Sequence, residues 1–431
     1  MMSSENRFPL FGIMLQRNRA MTIAFREAGS AQLPARQSSS TRTAFAVTVY
    51  RDLEMVEPLW HALAGQDSVA SPYQGLEWIR LWHEYVSGPL GEEPVIIVGS
   101  DRSGAPLFIW PLVAQRLGPL RLACFFGGKH ATLNMPLWRR DIADTFTSDD
   151  MHDALSQIAR QRPDLDLLML HSQPAFWSGA RNPFMTLAHQ RSNEDNFVLN
   201  IGTSGPAIIE QQISGTMRSR LRNKERKLAK LNGYRYIRAA TPDDVYRQLG
   251  FFFQQKEGKL RALGIENAFA QPGVESFIRA ACLAGLDRGE PVIELHALEC
   301  DGDMLALFSG IHDQQRFTSM FNSHTASDNS RFSPGLILLQ HLIVDCAKRG
   351  FRSFDIGPGE ARYKTFFCKD LELIYDSVLP LSLRGQAAAP ALRAIRLAKS
   401  AIKRNPKLWQ VAHNVRALLG GHKSKQASDA D

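Results

Sequence analysis

Apolar positions along the chain switch between a period of two and a period near 3.6, and the switches mark out a globular region that starts near Ala44. Ser71-Pro72 opens a helix, with Ser as N-cap and Pro in the first turn, and Leu76, Ile79, Leu81, Trp82 and Tyr85 form its apolar positions. Strands are predicted at 94–99, 106–113 and 120–126, the first two joined by an Asp101-Arg102-Ser103-Gly104 turn. A helix near 151–160 and a strand at 165–170 follow. After a crossover at 200–215 comes a charged helix at 217–231, a strand at 234–239 and helices at 242–257 and 274–288. Three short strands are then predicted at 292–298, 305–312 and 317–323, separated by hairpin-like turns. A helix at 335–349, a strand at 352–356, a short helix near 361–367 and a last strand at 373–381 close the region. Each half therefore reads as helices, then a strand meander, then alternating helix and strand.

The segments flanking this region have other patterns. Residues 29–43 are small and polar, cannot bury a face, and read as a linker behind a leader, so 1–43 are expected to stand outside the fold. Residues 14–28 are Arg-containing and acid-poor, which fits a transit peptide as well as a poorly ordered leader. From Ser377 to Ser428 there are ten Lys/Arg and no acid. There Leu392, Ile395 and Ile402, then Leu408, Val411, Val415 and Leu418, repeat at helical spacing. Residues 384–431 thus predict two basic amphipathic helices broken at Asn405-Pro406. Such helices either lie on an anionic bilayer or dock on the protein's own sheet.

Composition narrows the class. With 431 residues, 44% hydrophobic and 22% charged, the chain has enough apolar content for two or three domains' worth of core. Wholly disordered, collagen-like and coiled-coil chains are excluded. A net charge of +8 favours anionic partners. No run of about 18 apolar residues exists to span a bilayer. The five cysteines are odd in number and at least 18 residues apart, which argues against a disulfide framework or zinc ribbon and for a reducing compartment. A cytoplasmic protein is expected, with the tail as the route to the inner face of the membrane.

Four segments carry a resemblance. Ser71-Pro72-Tyr73-Gln74 with Glu77-Trp78 and Trp82 is one. The basic run at 218–230 is the second, Ser333-Pro334-Gly335-Leu336 the third, and Phe354-Asp355-Ile356-Gly357 followed by Tyr363-Lys364 the fourth. In order and spacing they resemble the GNAT acyltransferase superfamily, in its CelD/BcsL-like branch of bacterial exopolysaccharide and cellulose synthesis. That branch is similar in turn to the Fem-type transferases, which carry two GNAT-like units. The resemblance spans residues 47–383 and implies an α/β (α+β) fold. It would have two tandem GNAT-like units, at 44–200 and 201–383, each a mixed, mostly antiparallel twisted sheet flanked by helices. It implies acetyl-CoA or another acyl-CoA as co-substrate, bound by the second unit. The usual GNAT phosphate loop, Gln/Arg-x-x-Gly-x-Gly/Ala, is altered here: Arg331 and Gly335 remain, and Pro334 stands where the first Gly would.

Acyl transfer from a thioester requires that the carrier's phosphates be held, the acceptor lose a proton and the leaving thiolate gain one. Ser333 as N-cap and Pro334 at the first position preset a helix start whose free N–H groups suit a pyrophosphate. Gly335 lets phosphates approach, Leu336 continues the turn, and Arg331 and Lys364 offer charge; an ordinary capped helix and a solvated lysine are the plainer readings. Asp355, ahead of Gly357-Pro358-Gly359, is either a base or the cap of that turn. The resemblance implies that Tyr363 protonates the departing thiolate; otherwise it covers the sheet. Glu294 and His296 share a strand face, so either can serve as the base if that face lines the cleft.

His312 and His324 end the next two strands. His324 is taken as a substrate contact, with a satisfied structural histidine as the alternative. In the first half, the bent Phe125-Phe126-Gly127-Gly128-Lys129-His130 loop and Asn134 make His130 and Asn134 candidate substrate contacts or parts of a surface connection. The histidines are not at metal-ligand spacing and no metal is expected. Between 218 and 230 lie seven bases and one acid, Glu225, with Leu221 and Leu228 on one seam. That is a solvated helix or one that touches phosphates or acidic lipid. It lacks the aromatic interleaving of a nucleic-acid platform, so no specific nucleic acid is expected.

The reading that results is an acyl-CoA-dependent acyltransferase, for N- or O-acetyl transfer to a sugar or polysaccharide-linked precursor. Its partners would include an anionic membrane surface or a synthase complex. A Fem-like transferase using aminoacyl-tRNA and an inactive GNAT-like scaffold of a synthase complex are the rivals.

Overall fold

The computed structural model describes residues 44–404 apart from Gln66, Thr203, Leu263, Ile265, Asp301 and Glu360. The leader at 1–43 and the second tail helix expected after Asn405-Pro406 lie outside the described residues. The predicted elements are present, most of them within a few residues, in two sheets.

The first sheet runs in the order Ala46–Tyr50, Glu93–Ser100, Pro106–Leu117, Leu120–Phe125, Leu167–Pro174, Ile374–Pro380, His189–Arg191. The second runs Arg235–Arg238, Glu294–Cys300, Asp303–His312, Arg316–His324, Ser353–Pro358, Asn196–Asn200, Asp370–Glu372. The Ile374–Pro380 strand follows the second half in sequence but pairs antiparallel with Leu167–Pro174, with Val378 opposite Met169. Asn196–Asn200 was missed because it is short and lies in a polar stretch; it pairs antiparallel with Ser353–Pro358.

Two cores follow from the two faces of the second sheet. On one, helices Pro242–Ala262 and Val274–Leu283 pack against Leu295, Leu307, Ile311 and Phe321, and this core continues into the first half. Phe277 sits edge-on to Trp78 at 4.7 Å and to Trp82 at 5.0 Å, so both tryptophans are core residues. Each such pair contributes about 0.5–1.5 kcal/mol beyond its area. On the other face, helix Pro334–Lys348 inserts Ile337, Leu338, Leu342 and Ile343 against Leu298, Phe308, Phe317 and Phe354.

The helix expected from Ser71 is broken into a 3-10 turn at Pro72–Gln74, an α-helix at Leu76–Trp82 and a π turn at His83–Ser87. Ser71 does not cap it; its hydroxyl accepts from the Met135 amide at 3.1 Å and ties the turn to the neighbouring loop.

Two irregularities in the second sheet prepare a site. Strands Arg316–His324 and Ser353–Pro358 are parallel neighbours, but the ladder joins only Arg316, Phe317 and Thr318 to Ser353, Phe354 and Asp355. Beyond that point the two strands part. Just past the parting, Met320 and Phe321 stand opposite the single residue Ser309, which is a β-bulge. The Ser309 hydroxyl closes it, donating to the Phe321 carbonyl and accepting from the Phe321 amide, both at 3.0 Å. The bulge re-aims Asn322 and His324.

The C-terminal helix Leu383–Arg404 docks on the first sheet, with Ala389 and Leu392 against Leu122, Leu167 and Val378. Arg396 bonds Asp376 at 3.0 Å. Ile395 and Ile402, read from the sequence as sharing a stripe with Leu392, face outward. Among the described residues no helix is long and apolar enough to cross a membrane. A Cβ on Gly385 would lie 1.9 Å from the Asp166 carbonyl oxygen. Gly385→Ala is therefore expected to lift the helix start off the sheet, at a cost on the order of 1–3 kcal/mol. A lowered thermal midpoint and faster proteolysis after residue 382 would be its signature.

Candidate active site

At the end of the bulged strand lies a cavity of about 820 Å³, within the usual range for a small-molecule site. One wall is Ser333, Pro334, Gly335 and Leu336 at the start of helix Pro334–Lys348. A second is the end of the bulged strand, with Asn322 and His324. A third is the C-terminal half of helix Pro242–Ala262, with Lys256 and Lys259, and Tyr363 closes the site. Among the described residues no Asp or Glu lines it.

The helix start differs from the expected cap. Ser333 adopts φ 57°, ψ 52°, in the left-handed region, and its side chain makes no capping bond. Its hydroxyl instead accepts from Lys224 Nζ at 2.7 Å. The basic helix Gly215–Leu228, anchored by buried Leu221 and Leu228, thus delivers a cation to the positive end of a fifteen-residue helix dipole. Burial, and then Arg220, push the Lys224 ammonium pKa down. Pro334 has no N–H and the Leu336 and Ile337 amides donate to the Ser333 carbonyl at 3.0 and 3.3 Å, so an anion at the helix start would meet the Gly335 amide and this ammonium. A Cβ on Gly335 would lie 3.7 Å from His324 Cβ, so a methyl fits there and a larger group would enter the cavity.

Two of the expected phosphate contacts are placed elsewhere. Arg331 is not among the lining residues, and its guanidinium lies 4.9 Å from the Phe332 ring. Lys364 is buried and donates to the Gly357 and Pro358 carbonyls at 2.9 and 2.8 Å, which braces the Gly-Pro-Gly turn.

Tyr363 is raised above the ordinary phenol pKa by burial, against a hydrogen bond with Asn322, so it remains protonated at neutral pH. His324 Nδ1 lies 3.2 Å from the Thr325 carbonyl. With Nδ1 donating there, Nε2 keeps its lone pair and can accept a proton.

The other candidates lie outside this cavity. Asp355 is fully buried, bonded by Arg316 Nη2 at 3.1 Å and by the Gly357 amide at 2.7 Å. Burial raises its pKa and Arg316 opposes the rise. The Asp355 carboxylate therefore does cap the turn. Glu294 and His296 are buried below helix Pro334–Lys348, at the far end from its N-terminus. Glu294 accepts from Arg349 Nη2 at 2.6 Å and lies 3.1 Å from His296 Nε2 and 2.9 Å from His312 Nε2. Burial pushes its carboxyl up, but these hydrogen bonds outweigh it and hold it well below the usual carboxylate range. His296 in turn meets the Tyr236 hydroxyl at 2.8 Å. This is a closed clamp between the strand and the helix end.

His130 is packed between Trp82 and Phe269, and burial pushes its pKa down to about 4. Asn134 accepts from Gln74 Nε2 at 2.8 Å and donates to the His171 carbonyl at 3.1 Å. Both brace the first half.

Sequence reading did not single out Lys256, Lys259 or Asn322. On a helix with Phe252 one turn away, a lysine reads as solvated, and only the fold shows that this face meets a cavity. Lys224 was within the basic run, but no pattern marked it among seven bases. Lys224→Ala is expected to raise the acetyl-CoA dissociation constant on the order of tenfold, the scale of one charge-assisted hydrogen bond. Calorimetric titration checks this.

The Acetyltransferase (GNAT) domain family matches residues 215–365, which hold the basic helix, the bulged strand, the cavity helix and Tyr363. No curated protein sequence matches the chain. Among solved structures, FemX is 10% identical with a TM-score of 0.51, covering 77% of this chain and 97% of that one. The C-terminal domain of a putative lysylphosphatidylglycerol synthetase from Agrobacterium fabrum is 13% identical with a TM-score of 0.47, covering 80% and 95%. A tandem GNAT protein from the clavulanic acid biosynthesis pathway is 12% identical with a TM-score of 0.42, covering 79% and 98%. At these identities the likeness to FemX is one of fold. Residues 215–365 thus carry the GNAT acyltransferase fold.

Proposed function

We propose that the protein transfers an acyl group from acyl-CoA to an amine or hydroxyl of a sugar or polysaccharide-linked precursor, in the exopolysaccharide setting implied by its sequence. On this reading 44–200 and 201–383 are two GNAT-like units and the second holds the donor. The observation that carries it is one cavity that joins an uncapped helix start, a histidine with a free lone pair and a protonated tyrosine.

The donor's pyrophosphate sits at the Gly335 amide with Lys224 beside it, and the thioester reaches toward the end of the bulged strand. The acceptor nitrogen or oxygen attacks the thioester carbonyl carbon and gives its proton to His324 Nε2. The carbon–sulfur bond then breaks, and the Tyr363 hydroxyl gives its proton to the leaving thiolate. Asp355 acts through the Gly357–Gly359 turn, which positions the segment leading to Tyr363.

Calorimetry of the purified chain against acetyl-CoA, CoA and an aminoacyl-tRNA tests the reading. Binding of the first two without the third supports it. Binding of the aminoacyl-tRNA alone favours a Fem-like donor, and no binding of any favours a scaffold.

A further inference from the structure

The donor contacts proposed above lie on the first wall and leave the third wall without an assigned role. Helix Pro242–Ala262 packs on the sheet face opposite helix Pro334–Lys348, so its lysines approach the cavity from the other side. Lys256 Nζ stands 5.8 Å from the centres of both the Phe252 and Phe269 rings. Those rings pack on Phe321, at 4.4 and 5.8 Å, in the core beside the cavity. Burial, and then Lys259, push the Lys256 ammonium pKa down, and no carboxylate is among the causes. The sequence neighbour Glu257 is paired with Arg261. Lys256 and Lys259 are three residues apart on one helix, a spacing at which like charges repel. Among the described residues no carboxylate on the cavity wall pairs with Lys256; a half-buried cation so placed is costly, and a bound anion offsets that cost.

We infer that the acceptor carries an anionic group, phosphate or carboxylate, and that Lys256 and Lys259 receive it on the wall facing away from the donor's phosphates. This rests on the acyltransferase reading above. The acceptor's charged group would fix its register, leaving the nucleophile to reach His324 on the adjoining wall. A neutral oligosaccharide would leave the part-buried Lys256 ammonium unpaired, whereas Lys259 is exposed and keeps its water.

The test uses the full chain and its Lys256→Gln/Lys259→Gln variant, which keeps most of each stem. Both are saturated with CoA, and the thermal midpoint is followed against inorganic phosphate and, separately, malonate. The wild type should gain about 3 °C or more with at least one probe. The double variant should lose most of that gain, and its CoA dissociation constant should stay within about twofold. The more effective probe tells phosphate from carboxylate. An equal gain in both proteins overturns the inference. So does a tenfold weaker CoA affinity in the variant, which would assign the lysines to the donor. If CoA does not bind, the acyl-CoA reading fails separately. The anion series is then read on the free chain, where an equal response of wild type and variant again overturns the acceptor site.

Discussion

Tyr363→Phe is expected to lower turnover about 10²- to 10³-fold while acetyl-CoA binds within about twofold of wild type. The ring packs with the core under the cavity helix and would stay in place, so the change removes one proton donor and little else. Because burial holds the hydroxyl above the ordinary phenol value of about 10, the acid form is the one present at neutral pH. Activity that depends on it is lost only as pH rises through the raised value. The alkaline limb of the rate profile should accordingly lie above about 10 in the wild type and vanish in the variant. Full activity of the variant would mean that the thiolate leaves without this proton.

The second large effect concerns stability. Arg316 is buried and bonds Asp355 at 3.1 Å and Glu372 Oε2 at 2.6 Å, with its guanidinium 4.4 Å from the Trp177 ring. It joins the bulged strand, its parallel neighbour, the edge strand and the first half. Arg316→Met would leave two carboxylates without their cation, one of them fully buried. The expected loss is about 3–5 kcal/mol in urea unfolding at pH 7. Burial already raises the Asp355 carboxyl against the opposition of Arg316, so in the variant its folded pKa lies further above the unfolded one. That penalty is present above the unfolded pKa, so the deficit should shrink as pH falls toward about 4 and Asp355 protonates. A deficit under about 1 kcal/mol, or one that grows with acidity, would show that the cluster is not what holds these strands.

Much of the fold was legible in periodicity because its elements bury one face each. The three-strand meander, the cavity helix and the C-terminal helix were all found that way. The exchange of Ile374–Pro380 into the first sheet was not, since a strand's pattern specifies a buried face and not a partner. The site was legible only in part. Ser333, Gly335, His324 and Tyr363, each named from the sequence, line one cavity. Glu294 and His296 do share a strand, but the opposite end of a helix covers them, and Arg349 and His312 arrive from distant positions to seal the charge. Ser333 was expected to cap with its own hydroxyl; a lysine more than a hundred residues earlier takes that hydroxyl, and no local rule encodes such a contact. Lys256 is the converse case, a lysine whose sequence surroundings look solvated and whose folded surroundings are two aromatic rings and a cavity.

The central claim is that the start of helix Pro334–Lys348 binds an acyl-CoA. The most direct test is titration of acetyl-CoA into the wild-type chain and into Gly335→Trp. The indole would have to enter the space proposed for the donor's phosphates, since a Cβ at residue 335 already touches His324. The account predicts saturable binding with one site per chain for the wild type. It predicts at least a hundredfold weaker binding for the variant, equivalent to about 2.7 kcal/mol, with an unchanged thermal midpoint. Equal affinities, or no heat with the wild type, would contradict it.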